Sequence, residues 1–420
     1  MAVSVKNRGD VSRVVADLST VRAHTLGLVA PLADNDLERQ IDALMSPLAW
    51  DLAHIAAYED LWLVHRHGGE PLLRADLAAT YDAFETPRAA RGKIELLDAA
   101  GAREYLAVVR ERSLRAIEIH GVDSVVHEMV IQHEQQHTET MLQTMLLGRL
   151  NGYSHPRRRA SPPAPGGHSG LEFVRVAGGD VQLGAPDDCF AYDNERPRHD
   201  VQVEPFLIGR TLVTNATWLA FTEGGGYERR EWWTEEAWAW KQQYDITRPL
   251  NWERRPDGAW IEHTVCGPRP LDPDRPAAHV SWFEAAAVAR AHDARLPTEA
   301  EWETAATWDQ HQTSSEANLG QLAFDTTPVG AFAGTATCCG ALDMLGNLWE
   351  WTSTEFDGYA GFEPYPYREY SEVFFRTGHR VLRGGSWAAQ PRVATPTFRN
   401  WDLPQRRQIF CGVRLARNEE

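Results

Sequence analysis

The sequence predicts an α+β protein in which a helical N-terminal half is followed by a C-terminal half of short strands, loops and two helices. In the first half, apolar residues recur at helical spacing over long stretches. Beyond residue 170, the apolar runs are short and alternate with loops rich in Gly, Pro, Asp and Trp. A stretch of Arg, Pro, Gly and Ser separates the halves. We therefore place two domains at residues 1–153 and 171–420, with a linker at 154–170.

Composition and charge exclude several classes of partner. The chain has 420 residues, of which 43% are hydrophobic, enough for two cores. Its formal net charge of -17 argues against nucleic acid and anionic membranes, because both would repel it. We see no signal peptide and no run of about 18 apolar residues that could span a membrane. Five cysteines fit neither a disulfide framework nor a CxxC site. We expect a cytoplasmic monomer.

The N-terminal half is expected to form four helices. Pro47 interrupts the second helix and is expected to kink or restart it. Gly121 separates the last two, and Asp123 is a suitable N-cap for the fourth. A long loop at residues 68–99 divides the two pairs, so the pattern predicts a four-helix bundle. Apolar periodicity places the helices at residues 11–29, 34–67, 102–120 and 123–150.

The fourth helix carries the segment Gln-His-Glu-Gln-Gln-His, which is a candidate metal site. His133 and His137 are four residues apart and therefore share one helix face, where two imidazoles can hold one ion. His54 on the second helix is the preferred third ligand. Glu134 and His127 are alternatives, although both point away from that face. Imidazole suits iron, zinc, copper and nickel, so the ligand type alone does not select the metal.

The C-terminal half contains short strands and two helices. The second helix begins with a capping box, Thr298 with Glu301. The pattern places strands at residues 171–176, 199–208 and 381–382, and helices at residues 281–292 and 298–307.

Four motifs follow one another in this half, and they are Arg295-Leu-Pro-Thr-Glu-Ala-Glu-Trp302-Glu303, Gly346-Asn-Leu-Trp-Glu-Trp351-Thr352, Leu382-Arg-Gly-Gly-Ser-Trp387 and Cys411-Gly-Val-Arg414. Together they resemble the formylglycine-generating enzyme (sulfatase-modifying factor) family, which has a C-type-lectin-like scaffold. The resemblance covers residues 171–417. Ala389 and Ala394 stand where that family has two copper-binding cysteines, which implies a shared fold without the thiol-copper chemistry.

The N-terminal half resembles DinB-like bundles, which bind a metal through three histidines. It contains the segments Ser46-Pro-Leu-Ala-Trp-Asp-Leu-Ala-His54 and His-Glu-Gln-Gln-His. These segments, and the two halves in this order, are similar to the sulfoxide synthases of ergothioneine biosynthesis. Members of that family are non-haem iron enzymes that use O2 to join a thiol to C2 of the hercynine (trimethylhistidine) imidazole, leaving a sulfoxide. The resemblance implies Fe(II) held by His54, His133 and His137.

The same resemblance implies residues for hercynine and for proton transfer. Tyr367 is the expected proton donor, with Tyr370 as a pocket neighbour. Gln136 is expected to hydrogen-bond the imidazole, and Asn400 to hold the carboxylate. Trp401 suits the trimethylammonium group, because quaternary ammonium ions bind over an indole face.

The thiol co-substrate implied by the resemblance is γ-glutamylcysteine, which carries two carboxylates and an amine. Arg88 and Arg91 match a pair on the long loop, and arginine pairs bidentately with carboxylates. Asp402 and Arg406 match a second cluster, in which Asp402 would meet the amine. Cysteine and a selenosugar remain alternative co-substrates.

Two other classes of function compete with an iron oxygenase. A zinc-dependent thiol transferase of the DinB-like kind would need only the bundle and leaves the C-terminal half unexplained. A lectin-like binding module with a structural metal leaves the open three-histidine arrangement unexplained. O2 uptake with hercynine and a thiol separates these classes.

Overall fold

The computed structural model describes residues 8–150, 170–307 and 317–419. Contacts divide the chain into two compact units, Met1–Pro156 with Val265–Gly267, and Arg157–Thr264 with Pro268–Glu420. The predicted linker lies, apart from Gly170, outside the described residues, so its bounds stay a prediction. Within the described ranges, no helix is both long and apolar enough to cross a membrane.

The first unit is the predicted helical bundle. Its helices are α1 (Arg8–Val29), α2 (Asp34–Glu38), α3 (Leu48–Glu59), α4 (Ala99–His120) and α5 (Ser124–Leu147). Helix α3 packs against α4 and α5, and α1 packs against α5. The chain continues from α3 into a π-helical segment, Asp60–His67, which also contacts α4 and α5.

The predicted second helix at residues 34–67 restarts after Pro47 as expected, but the prediction is wrong for residues 39–46, which are not helical. Helix α2 ends at Glu38, and the chain becomes helical again only after Pro47, the N-cap of α3. Proline lacks an N–H and clashes with the preceding turn, so it starts a helix more readily than it continues one. Leu44, an apolar residue of the non-helical segment between α2 and α3, is therefore exposed.

The start of α5 is as predicted. The carboxylate of Asp123 accepts hydrogen bonds from the backbone N–H groups of Val125 and Val126, 3.0 Å each. This cap fixes where the helix that carries His133 and His137 begins.

A buried cluster of four charged side chains joins the long helices of the bundle. Arg22 of α1 contacts Glu59 of α3 at 2.8 Å and Glu134 of α5 at 2.9 Å. Arg110 of α4 contacts Glu59 at 2.7 Å. Two guanidinium groups thus balance two carboxylates, which is the condition under which buried charges are tolerated.

The second unit contains four small sheets and four helices in its described part. In strand order the sheets are β1-β4-β12, β2-β3, β5-β6-β7 and β10-β9-β8-β11. The helices are α6 (Asn215–Glu223), α7 (Glu235–Gln243), α8 (Trp282–Ala291) and α9 (Glu299–Ala305). The strands are β1 (Phe173–Val176), β2 (Gly179–Leu183), β3 (His199–Val203), β4 (Phe206–Gly209), β5 (Trp252–Arg254), β6 (Trp260–Thr264), β7 (Gly267–Pro270), β8 (Trp349–Glu355), β9 (Arg380–Arg383), β10 (Asn400–Asp402), β11 (Cys411–Gly412) and β12 (Ala416–Asn418).

The predicted strand at residues 199–208 is two strands, β3 and β4, which belong to different sheets. The break falls at Glu204 and Pro205. Proline cannot donate a ladder hydrogen bond, and here it marks the point where the chain leaves one sheet for another. The helix at Thr298 is capped as predicted, since its hydroxyl accepts from the N–H of Glu301 at 3.1 Å.

The sequence motifs of this half hold its core together. Arg414 pairs with Glu350 at 2.7 Å, and both side chains are fully buried. Trp302 donates its indole N–H to Glu350 at 2.7 Å. Ala389 and Ala394 are buried apolar side chains. The motifs therefore identify the fold rather than a reaction.

Candidate functional site

Three histidines of the first unit converge on one point. His54 lies on α3, and His133 and His137 lie one turn apart on α5. One ring nitrogen from each residue lies within 4.8 Å of the others. The Nε2 atoms of His54 and His133 are 3.1 Å apart. The helix spacing predicted the pair, and the packing of α3 against α5 adds the third member.

Two of the three rings are oriented by hydrogen bonds at the opposite nitrogen. Nδ1 of His54 donates to the carbonyl oxygen of Tyr81 at 2.7 Å. Nδ1 of His137 lies 3.3 Å from Oδ1 of Asp51, a fully buried carboxylate. A proton on Nδ1 leaves the lone pair on Nε2, which is how the outer shell of a metal site sets the tautomer of its ligands.

Aromatic side chains cover the faces of two of the imidazoles. Trp50 stacks on His54 with 4.7 Å between ring centroids. Tyr58 stacks on His133 at 3.7 Å with an interplanar angle of 8°. Nδ1 of His133 is buried and finds no hydrogen-bond partner in the described part of the chain. His133 is thus held by stacking, whereas the other two rings also have polar partners.

The electrostatic environment keeps His54 and His133 in the form that binds a metal. Burial lowers the pKa of His54 and of His133 well below the ordinary value, and the charge of His137 lowers the pKa of both further. Neutral imidazoles are the form that ligates metals. Three imidazole nitrogens directed at one point fit a divalent transition metal and leave further coordination positions open.

The two alternative third ligands are engaged elsewhere. The Glu134 carboxylate belongs to the buried ion cluster with Arg22 and Arg110. The Nδ1 of His127 lies 2.6 Å from the carbonyl oxygen of Asp123, in the first turn of α5. Helix geometry already placed both side chains off the ligand face, and the structure supplies their actual partners.

The long loop places its two predicted arginines in contrasting environments. Arg91 is buried and donates to the carbonyl oxygen of Thr86 at 2.9 Å and to the hydroxyl of Ser46 at 2.6 Å. Its guanidinium carbon lies 3.4 Å from the centre of the Trp50 ring, and burial lowers its pKa to about 10. Arg88 is exposed, and its guanidinium makes no hydrogen bond or ion pair with any described residue. Arg91 thus anchors the loop, and Arg88 is free to meet a ligand.

Gln136 precedes His137 on α5 and is half-buried. Because it is adjacent in sequence to one ligand and three residues from another, it lies beside the ligand face.

In the second unit, residues 365–371, which we call the tyrosine loop, lie against strand β10. Tyr367 and Tyr370 are half-buried and meet edge to face with centroids 6.1 Å apart. Tyr370 meets Trp401 of β10 edge to face at 5.7 Å. Trp401 stacks on Phe356 at 4.2 Å, which fixes the plane of its indole. The structure therefore brings together three of the aromatic residues that the sequence singled out.

The polar candidates around β10 have partners close in sequence. Oδ1 of Asn400 accepts from the backbone N–H of Trp401 at 2.9 Å. The Asp402 carboxylate lies 3.4 Å from Nε of Arg406. Antiparallel pairing of β10 with β9 fixes the strand that carries Asn400 and Asp402. Asp402 and Arg406 thus form the predicted second charged cluster as an ion pair.

Several residues around these sites escaped sequence reasoning. Asp51 had a detectable signal, since it is an acidic residue in an apolar helix, three positions before His54 and on the same face. Tyr58 follows His54 by one helical turn, but nothing in the sequence indicates that it covers a different histidine. Tyr81 contributes a backbone carbonyl, for which no side-chain pattern exists.

The fold and the site define a metal-binding helical bundle joined to a formylglycine-enzyme-like domain, and comparisons with known proteins agree. Residues 17–121 match the DinB superfamily, and residues 159–419 match the sulfatase-modifying factor enzyme 1-like domain. The chain is 44% identical to the hercynine oxygenase of Mycolicibacterium thermoresistibile, over 99% of this chain and 96% of that protein. It is 43% identical to the hercynine oxygenase of Mycobacterium tuberculosis, over 96% of this chain and 98% of that one.

A more distant relative matches the second half of the chain. The formylglycine-generating enzyme of Thermomonospora curvata is 31% identical over 47% of this chain and 73% of its own length. The near-complete coverage of the first two relatives decides the assignment. The chain belongs to the hercynine oxygenase family of oxidoreductases.

Proposed function

We propose that this protein is a non-haem iron hercynine oxygenase of ergothioneine biosynthesis, with γ-glutamylcysteine as its thiol substrate. One observation carries the proposal. A site of three converging histidines occurs in a chain that is 44% identical, over nearly its whole length, to a protein named hercynine oxygenase. Neither a zinc-dependent transferase nor a lectin-like module explains that combination.

The proposed reaction balances with O2 as the oxidant. The imidazole C2–H bond of hercynine and the S–H bond of the thiol break, and a C–S bond forms. One oxygen atom of O2 becomes the sulfoxide oxygen, and the other leaves as water with the two hydrogens. The protein must therefore bind two organic substrates, exclude water and deliver a proton.

His54, His133 and His137 would hold the iron. When bound, Fe(II) supplies O2 activation and an attachment point for the thiolate, because three neutral ligands leave its positive charge uncompensated. The Tyr81 carbonyl and the Asp51 carboxylate keep two of the imidazoles in the ligating tautomer.

Hercynine has an imidazole, a carboxylate and a trimethylammonium group to be recognised. We assign the imidazole to the Gln136 amide, the carboxylate to Asn400 and the trimethylammonium to Trp401. The stack of Trp401 on Phe356 supports the last assignment, because it holds the indole plane rigid for a cation–π contact. Tyr367 is assigned as the proton donor, with Tyr370 packed at its edge.

For γ-glutamylcysteine, the exposed Arg88 is the better candidate for a carboxylate. Arg91 uses three of its five N–H donors on Thr86, Ser46 and Ala83, so two remain for a substrate. Asp402 is assigned to the substrate amine, beside Arg406. All assigned residues come from one chain, and we propose that it acts as a monomer.

Anaerobic titration with Fe(II), followed by O2 addition, tests the proposal. We expect one iron per chain and rapid O2 uptake only when hercynine and γ-glutamylcysteine are both present, with a sulfoxide as product. Equal concentrations of γ-glutamylcysteine and cysteine in competition identify the thiol. Absence of O2 uptake with every thiol tested would overturn the oxygenase assignment.

A further inference from the structure

The tyrosine loop ends in a buried polar cluster that neither the metal site nor the substrate assignments use. Ser371 closes the loop and is completely buried. Asp193 and Asn194, which lie about 180 residues earlier in the chain, are 3% and 1% exposed. These three side chains are called the latch below.

Three hydrogen bonds of the latch involve the tyrosine loop. The Ser371 hydroxyl donates to Oδ1 of Asp193. Nδ2 of Asn194 donates to the Ser371 oxygen at 2.9 Å. The backbone N–H of Tyr365 donates to Oδ2 of Asp193 at 3.3 Å. The loop is therefore attached to residues 193 and 194 at both of its ends.

An aromatic contact reinforces the attachment between those ends. Tyr192 stacks on Tyr370 with centroids 4.2 Å apart and an interplanar angle of 9°. Tyr370 in turn meets Tyr367 and Trp401 edge to face. The position of residues 192–194 thus determines where the rings of both loop tyrosines lie.

The latch is also tied to the strand that carries Asn400 and Trp401. The carbonyl oxygen of Asn194 accepts a hydrogen bond from Nη1 of Arg399 at 2.7 Å. Arg399 is buried and pairs with Glu299 of α9 at 2.8 Å. Because Arg399 immediately precedes β10, one buried network fixes the tyrosine loop and the strand relative to each other.

The charge of the latch distinguishes it from ordinary packing. Asp193 forms no ion pair with any described residue, and burial raises its pKa to about 6 despite the hydrogen bonds that it accepts. A buried carboxylate without a counter-charge is costly, and apolar packing would stabilise the fold better. Such an arrangement is retained where it imposes one geometry on a segment that must be placed accurately.

We propose that Ser371, Asp193 and Asn194 position Tyr367 and Tyr370 for the oxygenase reaction, with Ser371 as the central positioning residue. The inference rests on the proposed function, since it takes Tyr367 as the proton donor. Ser371 touches neither substrate nor metal in this account. Its effect is to hold Tyr367 and Tyr370 in the positions at which Tyr370 contacts Trp401 of β10.

The main test is Ser371→Ala, which deletes one oxygen atom and two hydrogen bonds. We expect kcat for sulfoxide formation to fall about tenfold, the effect of losing a hydrogen bond of ordinary strength in positioning. The KM for hercynine should change less than about twofold, because β10 remains paired with β9. The fraction of thiol that takes up both atoms of O2 to give a sulfinic acid should rise. Hydrogen exchange at the Tyr365 amide should accelerate.

Ser353→Ala is the matched control. Ser353 lies in the same unit and is half-buried, and its hydroxyl donates to the carbonyl oxygen of Pro297 at 3.2 Å, outside the latch. It should leave kcat, the product ratio and exchange at Tyr365 unchanged. Equal effects of both substitutions would show that Ser371 acts only through stability, and would overturn the inference.

Two further variants keep the outcomes separable. Asp193→Asn preserves the shape of the side chain, but its amide group cannot accept from both the Ser371 hydroxyl and the Tyr365 N–H. It should therefore raise the fraction of sulfinic acid as Ser371→Ala does, and it remains informative if Ser371→Ala fails to fold.

Tyr367→Phe should divert thiol to the sulfinic acid with an intact latch. If Tyr367→Phe forms sulfoxide at the normal rate, the proton-donor assignment fails. If Tyr367→Phe diverts the thiol and both latch variants do not, the latch inference fails alone.

Discussion

At the scale of single residues, the three proposed ligands differ in what holds them. His54 and His137 have polar partners at Nδ1, whereas His133 relies on the face of Tyr58. Partners of metal ligands typically alter metal affinity by about 10- to 100-fold. The stacked ring, rather than its hydroxyl, should therefore be what positions His133.

Substitution of Tyr58 tests this at the level of metal affinity. We expect Tyr58→Leu to raise the dissociation constant for Co²⁺ about tenfold or more, because the His133 ring is no longer confined. Tyr58→Phe keeps the ring and should bind Co²⁺ like the unmodified protein. Anaerobic titration followed by visible absorbance measures both constants. Equal weakening by Phe and Leu would contradict the role of stacking.

The two loop arginines are expected to separate into a binding role and an anchoring role. Arg88→Ala removes an exposed cation and should raise the KM for γ-glutamylcysteine about tenfold or more, with little effect on the KM for hercynine or on melting temperature. Arg91→Ala removes three hydrogen bonds and the contact with Trp50, so it should also lower the melting temperature. Steady-state kinetics with thermal melts distinguishes them. A destabilised Arg88→Ala with unchanged kinetics would contradict this division.

At the scale of elements, the ion cluster holds the histidine-bearing helices in register. It joins α1, α3, α4 and α5, and Glu134 lies next to His133 in sequence. Burial alone would raise the pKa of Glu59, but Arg110 and Arg22 outweigh burial and lower it to about 2 from an ordinary value of 4.5. Because the folded-state pKa is depressed, the stabilisation is present above pH 4.5 and disappears as the pH falls towards 2.

Glu59→Gln should therefore destabilise the bundle in a pH-dependent way. At pH 7 we expect a loss of about 3–5 kcal/mol in the free energy of unfolding, because two buried guanidinium groups lose a shared counter-charge. The difference in the free energy of unfolding between the variant and the unmodified protein should become smaller as the pH falls from 4.5 towards 2. Urea unfolding at each pH, followed by helical circular dichroism, measures this free energy for both proteins. Glu111→Gln, an exposed change on α4, is the control, and a pH-independent difference would contradict the assignment.

At the scale of the whole molecule, the three ligands all belong to the first unit, whereas the latch and the loop tyrosines belong to the second. Metal binding stabilises the conformation that presents the ligands, and this stabilisation is local when the ligands lie in one cooperative unit. The two units should therefore respond differently to the metal.

Hydrogen exchange with and without Co²⁺ tests this expectation. Protection should increase in α3 and α5, which carry the ligands, and much less in β8 and β9 of the second unit. His137→Ala should abolish the increase, since it leaves only two ligands. A uniform increase over both units, or one that persists in His137→Ala, would contradict a localised three-histidine site.

The sequence alone determined what depends on neighbours in the chain. The shared face of His133 and His137 follows from helix periodicity, and the caps at Asp123 and Thr298 follow from short-range hydrogen bonding. The family followed from ordered motifs whose arginines and tryptophans form the second core. The restart of the helix at Pro47 was also expected from the sequence. Errors arose at residues 39–46, which the predicted helix includes although they are not helical, and at Pro205, where the apolar pattern continues but the chain passes from β3 to β4.

Only the tertiary structure decided which distant groups meet. It places His54 beside His133, 79 residues further along the chain, and the carbonyl oxygen of Tyr81 against Nδ1 of His54. It also pairs Glu134 with Arg22 in the ion cluster. It also buried Arg91 while leaving Arg88 exposed. The physical reason is that helix spacing and capping are local, whereas these contacts depend on how helices and loops pack across the whole unit, which no short segment encodes.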